Sequence, residues 1–153
     1  MAIDENDPKA RIARQFIEGI PHSRELGMRL DVIGGGIAEI SMPYDLRFVG
    51  DARTGVIHGG AVSALIDTSC GAAVISAGDT DAVTATLDLR IDYMRPATPG
   101  KWITARATCY HVTRSVAFVR AIAHDGDPDN PVATAAGAFT ASGEKRRSSE
   151  AVS

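Results

Sequence analysis

Apolar residues recur with a helical period over residues 8–20, where Ile12, Phe16 and Ile20 lie about one turn apart. Pro8 stands near the start of this segment, a position that suits the first turn of a helix. This pattern predicts a short amphipathic helix. Two short strands are expected next, and the glycines between them indicate a turn, because no helix follows that could complete a dinucleotide-binding loop. We place these strands at residues 28–33 and 37–42, the glycine turn at 34–36 and a loop at 43–54.

The longest apolar stretch runs from residue 61 to residue 77 and contains one charged side chain, Asp67. We expect a helix that ends at Gly78 and Asp79, since glycine is favoured just past a helix end. The segment is slightly short for a membrane span and rich in Ser, Thr and Gly. A buried helix of a globular protein is therefore the favoured interpretation. Because it is apolar on every side, we expect the protein to surround it.

After this helix the apolar residues recur at every second position, which predicts a half-buried strand over residues 83–94. One face carries Val83, Ala85, Leu87, Leu89, Ile91 and Tyr93, and the other carries Thr84, Thr86, Asp88, Arg90, Asp92 and Met94. Three further strands are expected at residues 101–112, 115–124 and 132–141. Short connections favour antiparallel neighbours, so the last four strands are predicted to form a meander. The predicted fold class is α+β, with a curved antiparallel β-sheet wrapped around one long central α-helix.

Composition narrows the function classes. The chain has 153 residues and a net charge of −3, with 5% aromatic residues. A chain of this length is expected to form one domain. It lacks the excess of basic residues and the many aromatic side chains with which proteins bind nucleic acids, so nucleic acid is not an expected partner. We expect an N-terminal helix and loop at 1–24, one domain at 25–142 and a flexible tail at 143–153. The polar N-terminus resembles neither a signal peptide nor an anchor, so a cytoplasmic protein without membrane attachment is expected.

Metal and thiol chemistry are not expected. The four histidines are scattered without a ligand spacing, and no serine stands in a nucleophile-elbow motif, so we expect no metal, no cofactor and no serine triad. Cys70 and Cys109 form no disulfide framework and are expected to be free thiols. Cys70, one turn after Asp67, is interpreted as a small packed apolar residue.

Asp67 and His58 are the candidate reactive groups. A carboxylate in an apolar helix costs several kcal/mol unless it is paired, which favours a functional role. His58 lies nine residues earlier, about 13 Å away along a helix and half a turn round it. One helix therefore cannot bring both to one site. A shared site needs a second copy of the helix, as in a two-fold dimer with two equivalent sites.

The sequence His58-Gly59-Gly60 adds an anion-binding feature. The first N–H groups of a helix are unpaired and partly positive, and glycine allows a ligand to approach them. Such a helix start could hold the oxyanion of a polarised carbonyl. A carboxylate facing it suits acyl transfer to water, with Asp67 as general base or as transient nucleophile.

Two motifs together resemble a known family. "TGVIHGGAVSALIDTSCG" is similar to the H-G-G-x6-D motif of hotdog-fold acyl-CoA thioesterases, and most similar to the phenylacetate-pathway type; "LDLRIDYMRPATPG" resembles their Y-L-R-P-A strand and turn. "LGMRLDVIGGGIAEISMP" and "TRSVAFVRAIA" resemble other strands of this family, so the resemblance covers about residues 25–141. It implies a hotdog fold, an acyl-CoA substrate and a homodimer with interfacial active sites, which in this family often pairs into a tetramer.

The resemblance also implies site residues. Asp67 would be the catalytic carboxylate, the Gly59 N–H would hold the thioester oxygen with Gly60 beside it, and His58 would orient that end. Thr86 would help to place water. Where many relatives have an asparagine before the histidine, this chain has Asp51, which could serve as an acceptor but adds negative charge.

The phosphates of CoA are negatively charged, so we expect cationic side chains at the mouth of the site. The candidates for binding these phosphates are Arg90, Arg95 and Arg114, with Arg95 preferred. The predicted function is acyl-CoA hydrolysis to a carboxylate and CoA. A hotdog hydratase or dehydratase and a non-catalytic acyl-CoA-binding module are the alternatives. The His-to-Asp spacing disfavours the former, and the presence of Asp67 at the catalytic position disfavours the latter.

Overall fold

The computed structural model describes residues 6, 8–78 and 83–141. The predicted tail at 143–153, the predicted helix end at Asp79 and the side chain of Phe16 lie outside the described residues. The helices are α1 (Pro8–Gly19), α2 (Pro21–Glu25) and α3 (Gly59–Ala77), with a 3-10 turn at Leu46–Phe48. The strands are β1 (Arg29–Gly34), β2 (Ile37–Met42), β3 (Val49–Asp51), β4 (Val56–Ile57), β5 (Thr86–Tyr93), β6 (Ile103–Val112), β7 (Val116–His124) and β8 (Ala133–Thr140).

Six strands form one antiparallel sheet in the order β1-β2-β6-β7-β8-β5, and β3 pairs with β4 in a separate hairpin. Helix α3 lies against the concave face of the large sheet. Its Leu65 and Ile66 are fully buried, as are Ile40 of β2 and Val119 of β7. The predicted α+β architecture, a curved antiparallel sheet around one long helix, is confirmed as a hotdog fold.

The predicted four-strand meander is wrong in one respect. Only β6, β7 and β8 follow one another as neighbours, whereas β5 pairs with β8 at the sheet edge and β6 pairs with β2. The connection over residues 94–102 is longer than a hairpin loop and lets the chain cross from one edge to the centre. The β3–β4 hairpin was also not expected, because residues 43–54 carry turn residues typical of a loop.

Helix α3 is apolar on every side, but only one of its sides is packed against the rest of the chain. Ten of its residues are buried, although its length and hydropathy would also suit a membrane span. The prediction that the helix is surrounded on every side is wrong for the single chain. The side that faces β5 is partly exposed, and it carries Ser63, Ala64, Asp67 and Thr68.

The N-terminal helix belongs to the same core. Ala13 and Ile17 of α1 are buried in the hydrophobic cluster that contains Leu65 of α3. The helix packs against β1 and α3, so residues 8–19 share the hydrophobic core of the sheet and the central helix.

Candidate active site

The carboxylate of Asp67 and the hydroxyl of Thr86 are in direct contact. Thr86 Oγ1 donates a hydrogen bond of 2.7 Å to Asp67 Oδ1. Asp67 lies on α3 and is partly exposed, and Thr86 is the first residue of β5. The contact occupies one carboxylate oxygen and orients the group, while the other oxygen has no hydrogen-bond partner among the described residues.

A β-bulge makes this contact. The register between β5 and β8 shifts between Thr86 and Asp88, so Leu87 is the extra residue. A bulge reverses the alternation of side chains along a strand. Thr86 therefore faces α3, and Leu87 is 58% exposed. The predicted faces of residues 83–94 are accordingly wrong before the bulge, because a period of two cannot show where one extra residue is inserted.

The start of α3 is built around His58, which caps the helix. His58 Nδ1 accepts a hydrogen bond of 2.8 Å from the Gly60 N–H, and its carbonyl accepts one of 3.0 Å from Ala61. Within the described part of the chain, the Gly59 N–H donates to no group, so it is free to bind a ligand. A Cβ on Gly60 would lie 2.8 Å from His58 Nδ1, so a side chain at this position would displace the imidazole that caps the helix.

The carbonyl of Gly59 is held by two hydroxyls. Tyr93 Oη donates to Gly59 O over 2.9 Å, and Ser63 Oγ donates to the same oxygen over 3.1 Å. Ser63 Oγ also lies within hydrogen-bond distance of Tyr93 Oη, so with Tyr93 donating to Gly59 O the single Ser63 proton is shared between that carbonyl and the tyrosine oxygen. Tyr93 is the last residue of β5, so the two ends of this strand contact the two candidate halves of the site.

These two halves are separated within one chain. Gly59 and Asp67 are eight positions apart on α3, which corresponds to about 12 Å along a helix axis. One thioester carbonyl cannot contact the Gly59 N–H and the Asp67 carboxylate of the same chain. The geometry therefore agrees with the sequence argument that His58 and Asp67 need a second copy to meet.

The unpaired side of β5 is the feature that could receive such a copy. Strand β5 is an edge of the sheet, with β8 on one side only. Its flanks expose large apolar side chains, namely Val83, Leu87, Tyr93 and Met94. An exposed apolar edge strand is a surface on which another strand can pair.

Asp51 is engaged locally. Its carboxylate accepts hydrogen bonds from Arg53, from the N–H at 3.0 Å and from Nε at 3.3 Å, and these bonds hold the pKa of Asp51 below its ordinary value. A Cβ on the neighbouring Gly50 would lie 2.9 Å from the Cα of His58. Strand β3 therefore passes directly against the start of α3, beside the place where the resemblance puts an acceptor.

The three candidate arginines differ in their surroundings. Arg95 donates two hydrogen bonds to the buried carboxylate of Asp125, of 2.7 and 3.0 Å, and two more to the carbonyls of Pro96 and Asn130. Arg90 forms an exposed pair with Asp92. Arg114 is exposed in the β6–β7 turn and forms no ion pair within the described residues.

The Arg95–Asp125 pair is expected to stabilise the fold. Asp125 also accepts a hydrogen bond of 2.8 Å from the Thr98 N–H, so it joins the loops that precede β6 and β8. We expect Asp125→Asn to lower the free energy of unfolding at pH 7 by about 2 kcal/mol, because Arg95 loses its counter-ion. Urea unfolding measures the change. Asp92→Asn, in an exposed pair, is the control and should cost less than about 0.5 kcal/mol.

The same pair predicts a pH dependence. The hydrogen bonds from Arg95 hold the pKa of Asp125 well below its ordinary value. A depressed pKa in the folded state adds stability above the ordinary carboxyl value of about 4, and this stability is lost as the pH falls below it. The difference between wild type and Asp125→Asn should therefore shrink progressively as the pH falls from about 5 to about 2, through the ordinary carboxyl value and towards the lowered one. A difference that stays constant would contradict this role.

Cys70 lies beside Asp67 in the helix without being a nucleophile. It is fully buried, and burial, with a smaller contribution from the Asp67 charge, raises the pKa of its thiol to about 12. The thiol therefore remains protonated at neutral pH. Within the described residues, no group of three or more His, Cys, Asp or Glu side chains is arranged to hold a metal ion.

Sequence reasoning missed Tyr93 and Ser63 as parts of the helix start. Tyr93 stands in the quoted strand motif, and the alternation places it on the same face as Leu89 and Ile91. Nothing in the spacing connects it to Gly59, because the contact joins two elements that are 34 positions apart. Ser63 is four residues after Gly59, a spacing at which a serine can donate to a helix carbonyl, and this was the available signal.

Comparisons with known proteins identify the family to which the fold belongs. The model of the thioesterase superfamily matches residues 54–132, a range that includes the start of α3, Asp67, Thr86 and Tyr93. A crystal structure of a Pseudomonas aeruginosa protein is 38% identical, with a TM-score of 0.79, and the match covers 87% of this chain and 98% of that one.

Two other relatives carry functional names. A structure of a variant of the phenylacetic acid degradation protein PaaI from Thermus thermophilus is 28% identical, with a TM-score of 0.68, over 78% of this chain and 97% of that one. A Halobacterium salinarum protein whose name suggests an esterase is 31% identical over 94 residues, which is 60% of this chain. The match spans 62% of that relative's length, less than two thirds.

Proposed function

Because this chain belongs to the thioesterase superfamily, we propose that it hydrolyses acyl-CoA thioesters to a carboxylic acid and CoA. The observation that carries the proposal is the carboxylate of Asp67, oriented by Thr86 on the exposed side of the central helix. The free N–H of Gly59 supplies the complementary donor for a carbonyl oxygen. The names of two relatives, which suggest an esterase and a phenylacetic acid degradation protein, support this chemistry.

The reaction needs one attacking oxygen, one oxyanion donor and one proton for the leaving thiolate. In the general-base route, Asp67 takes a proton from water, the new hydroxide attacks the thioester carbon, and the oxyanion forms beside the Gly59 N–H. Collapse breaks the C–S bond, and the proton on Asp67 passes to the CoA sulfur. In the nucleophilic route, Asp67 itself attacks, CoA leaves, and water hydrolyses the mixed anhydride.

We propose that the active unit is a dimer joined at β5. An antiparallel pair of two β5 strands, centred on Arg90, would place Thr86 opposite the partner subunit's Tyr93, because the extra residue Leu87 shifts Thr86 by one position. Because Thr86 contacts Asp67 and Tyr93 contacts Gly59, this register would bring Asp67 towards the partner subunit's Gly59. Pairing would also cover the exposed apolar side chains along this edge. A native mass of one subunit would contradict the dimer; a dimer or a tetramer agrees with it.

The structure changes the order of the CoA-binding candidates. We assign this role first to Arg114 and Arg90, since Arg95 is committed to Asp125. The turn that carries Arg114 lies at the same end of the sheet as Thr86, because Ser115 O accepts the Ala141 N–H and Ala85 O accepts the Thr140 N–H. Asp51 and His58 are proposed to shape the carbonyl end of the site, with Asp51 the weaker assignment because Arg53 holds its carboxylate.

Free-thiol release from a panel of acyl-CoAs tests the proposal. The panel contains short, medium, long and aryl acyl groups, and the profile assigns the acyl preference. Release from at least one substrate by the purified protein, with a rate proportional to its concentration, is expected. Saturable acyl-CoA binding without any thiol release would contradict the proposal and support the non-catalytic binding module.

A further inference from the structure

We propose that Tyr93 is a positioning residue for the oxyanion donor, acting together with Ser63 through the carbonyl of Gly59. This inference rests on the proposed function. It assigns a role to a strand side chain that does not itself contact the reacting atoms. Its basis is the hydrogen bonding of the first turn of α3 and the packing of the Tyr93 ring.

The first turn of α3 has two peptide groups around Gly59, and both are fixed. The His58–Gly59 peptide carries the proposed donor, and its carbonyl accepts the Ala61 N–H. In the Gly59–Gly60 peptide, the N–H donates to His58 Nδ1 and the carbonyl accepts from Tyr93 and Ser63. Every group of these two peptides is therefore engaged except the Gly59 N–H.

Glycine at this position creates the need for such restraint. Gly59 lacks a side chain that would limit its backbone angles, and a freely rotating donor would not point at one place. Tyr93 limits this freedom in two ways. Its hydroxyl holds the carbonyl, and its ring lies over the Cα, where a Cβ would be 3.4 Å from Cε1. A donor fixed before the reaction stabilises the oxyanion without reorganisation.

The origin of the two restraints differs. Ser63 belongs to the same helix and would move with it, whereas Tyr93 is anchored in the sheet, where its Cα pairs with Ala133 of β8. Tyr93 thus fixes the helix start relative to the edge strand whose other end holds Thr86 against Asp67. One strand sets the positions of both chemical groups.

The test uses Tyr93→Phe, which keeps the ring and removes the hydroxyl, and Ser63→Ala as a second variant. For the acyl-CoA that the wild type hydrolyses fastest, we expect Tyr93→Phe to lower kcat about tenfold with KM changed less than about twofold, because the restraint acts mainly in the transition state. Ser63→Ala should lower kcat in the same direction. Tyr44→Phe is the matched control, since Tyr44 also donates to a backbone carbonyl, that of Gly55, over 2.7 Å.

A binding measurement separates positioning from general weakening. Two non-reactive analogues of the substrate are compared: a ketone, in which CH2 replaces the thioester sulfur, and a thioether, in which CH2 replaces the carbonyl. The wild type should bind the ketone more tightly, and Tyr93→Phe should reduce this preference. A purely structural defect would weaken both analogues equally, as would a change in the fraction of folded protein measured by thermal unfolding.

The outcomes distinguish the two proposals. Thiol release by the wild type, together with an unchanged kcat and an unchanged ketone preference in Tyr93→Phe, would overturn the role of Tyr93 alone. No thiol release by the wild type from any acyl-CoA would overturn the proposed function and this inference with it. A lower kcat with a reduced ketone preference supports both.

Discussion

Replacing Asp67 by asparagine is expected to lower kcat for thioester hydrolysis by about 10² to 10⁴-fold, the range for losing a general base. The amide is nearly isosteric and its oxygen can still accept the hydrogen bond from Thr86, so the fold should be retained. The lost property is the negative charge that takes a proton from water or attacks the thioester. Thiol release under saturating substrate measures the effect, and thermal unfolding checks the fold.

Asp88→Asn is the matched control for this variant. Asp88 is an exposed carboxylate on the same strand as Thr86, and it lies on the outer face opposite Ala138 of β8, away from the face that carries Thr86; its substitution should leave kcat within about twofold of wild type. A folded Asp67→Asn protein with kcat close to that of Asp88→Asn would contradict the assignment of Asp67. Single turnover in ¹⁸O-labelled water then detects the nucleophilic route in which water attacks the Asp67 carbonyl of the anhydride, since only there does the product carry an oxygen of Asp67 in place of one from water.

Replacing Gly59 by proline should lower kcat by about 10² to 10³-fold, the effect of removing one oxyanion donor. Proline lacks the N–H but suits the first position of a helix, where that N–H has no partner within the helix. The preceding residue, His58, has φ −58° and ψ 134°, a conformation that is compatible with a following proline. The backbone therefore accepts the change, and the donor is removed selectively.

Gly59→Ala separates the loss of the donor from the added atoms. Alanine keeps the N–H and introduces the same Cβ, which would lie 3.4 Å from Cε1 of Tyr93. We expect its kcat to stay within about fivefold of wild type, because the donor remains in place. Equal losses in the alanine and proline variants would show that crowding against Tyr93, and not the missing N–H, reduces activity.

The sequence predicted most elements closely because their signals are local. The strand at 37–42 and the helix start of α3 follow from apolar period and from glycine positions, and the observed bounds differ by at most two residues. The neighbour of β5 could not be predicted in this way. The order of strands in the sheet depends on which edge is still unpaired when β5 joins it. The rule that short connections join neighbouring strands pairs β5 with β6, whereas the observed neighbour of β5 is β8.

Thr86 shows how local and family-based reasoning can disagree. Its position in the alternation puts it on the face with Asp88 and Arg90, whereas the resemblance implies that it helps to place water in the site. The bulge at Leu87 resolves the disagreement, because one extra residue turns Thr86 towards α3. Arg95 has a partner that the sequence did not reveal. Its phosphate contact stays a prediction, while its observed partner Asp125 comes from a loop that no local pattern connects to it.

The shared site is the central claim, and a mixed dimer tests it most directly. Asp67→Asn and Gly59→Pro subunits carrying different affinity tags are coexpressed, and the heterodimer is isolated by both tags. If each site combines Asp67 of one subunit with Gly59 of the other, one of the two sites is intact, and the heterodimer should show about half the wild-type activity. A heterodimer as inactive as both parent homodimers would contradict the account, because each site would then lie within one chain.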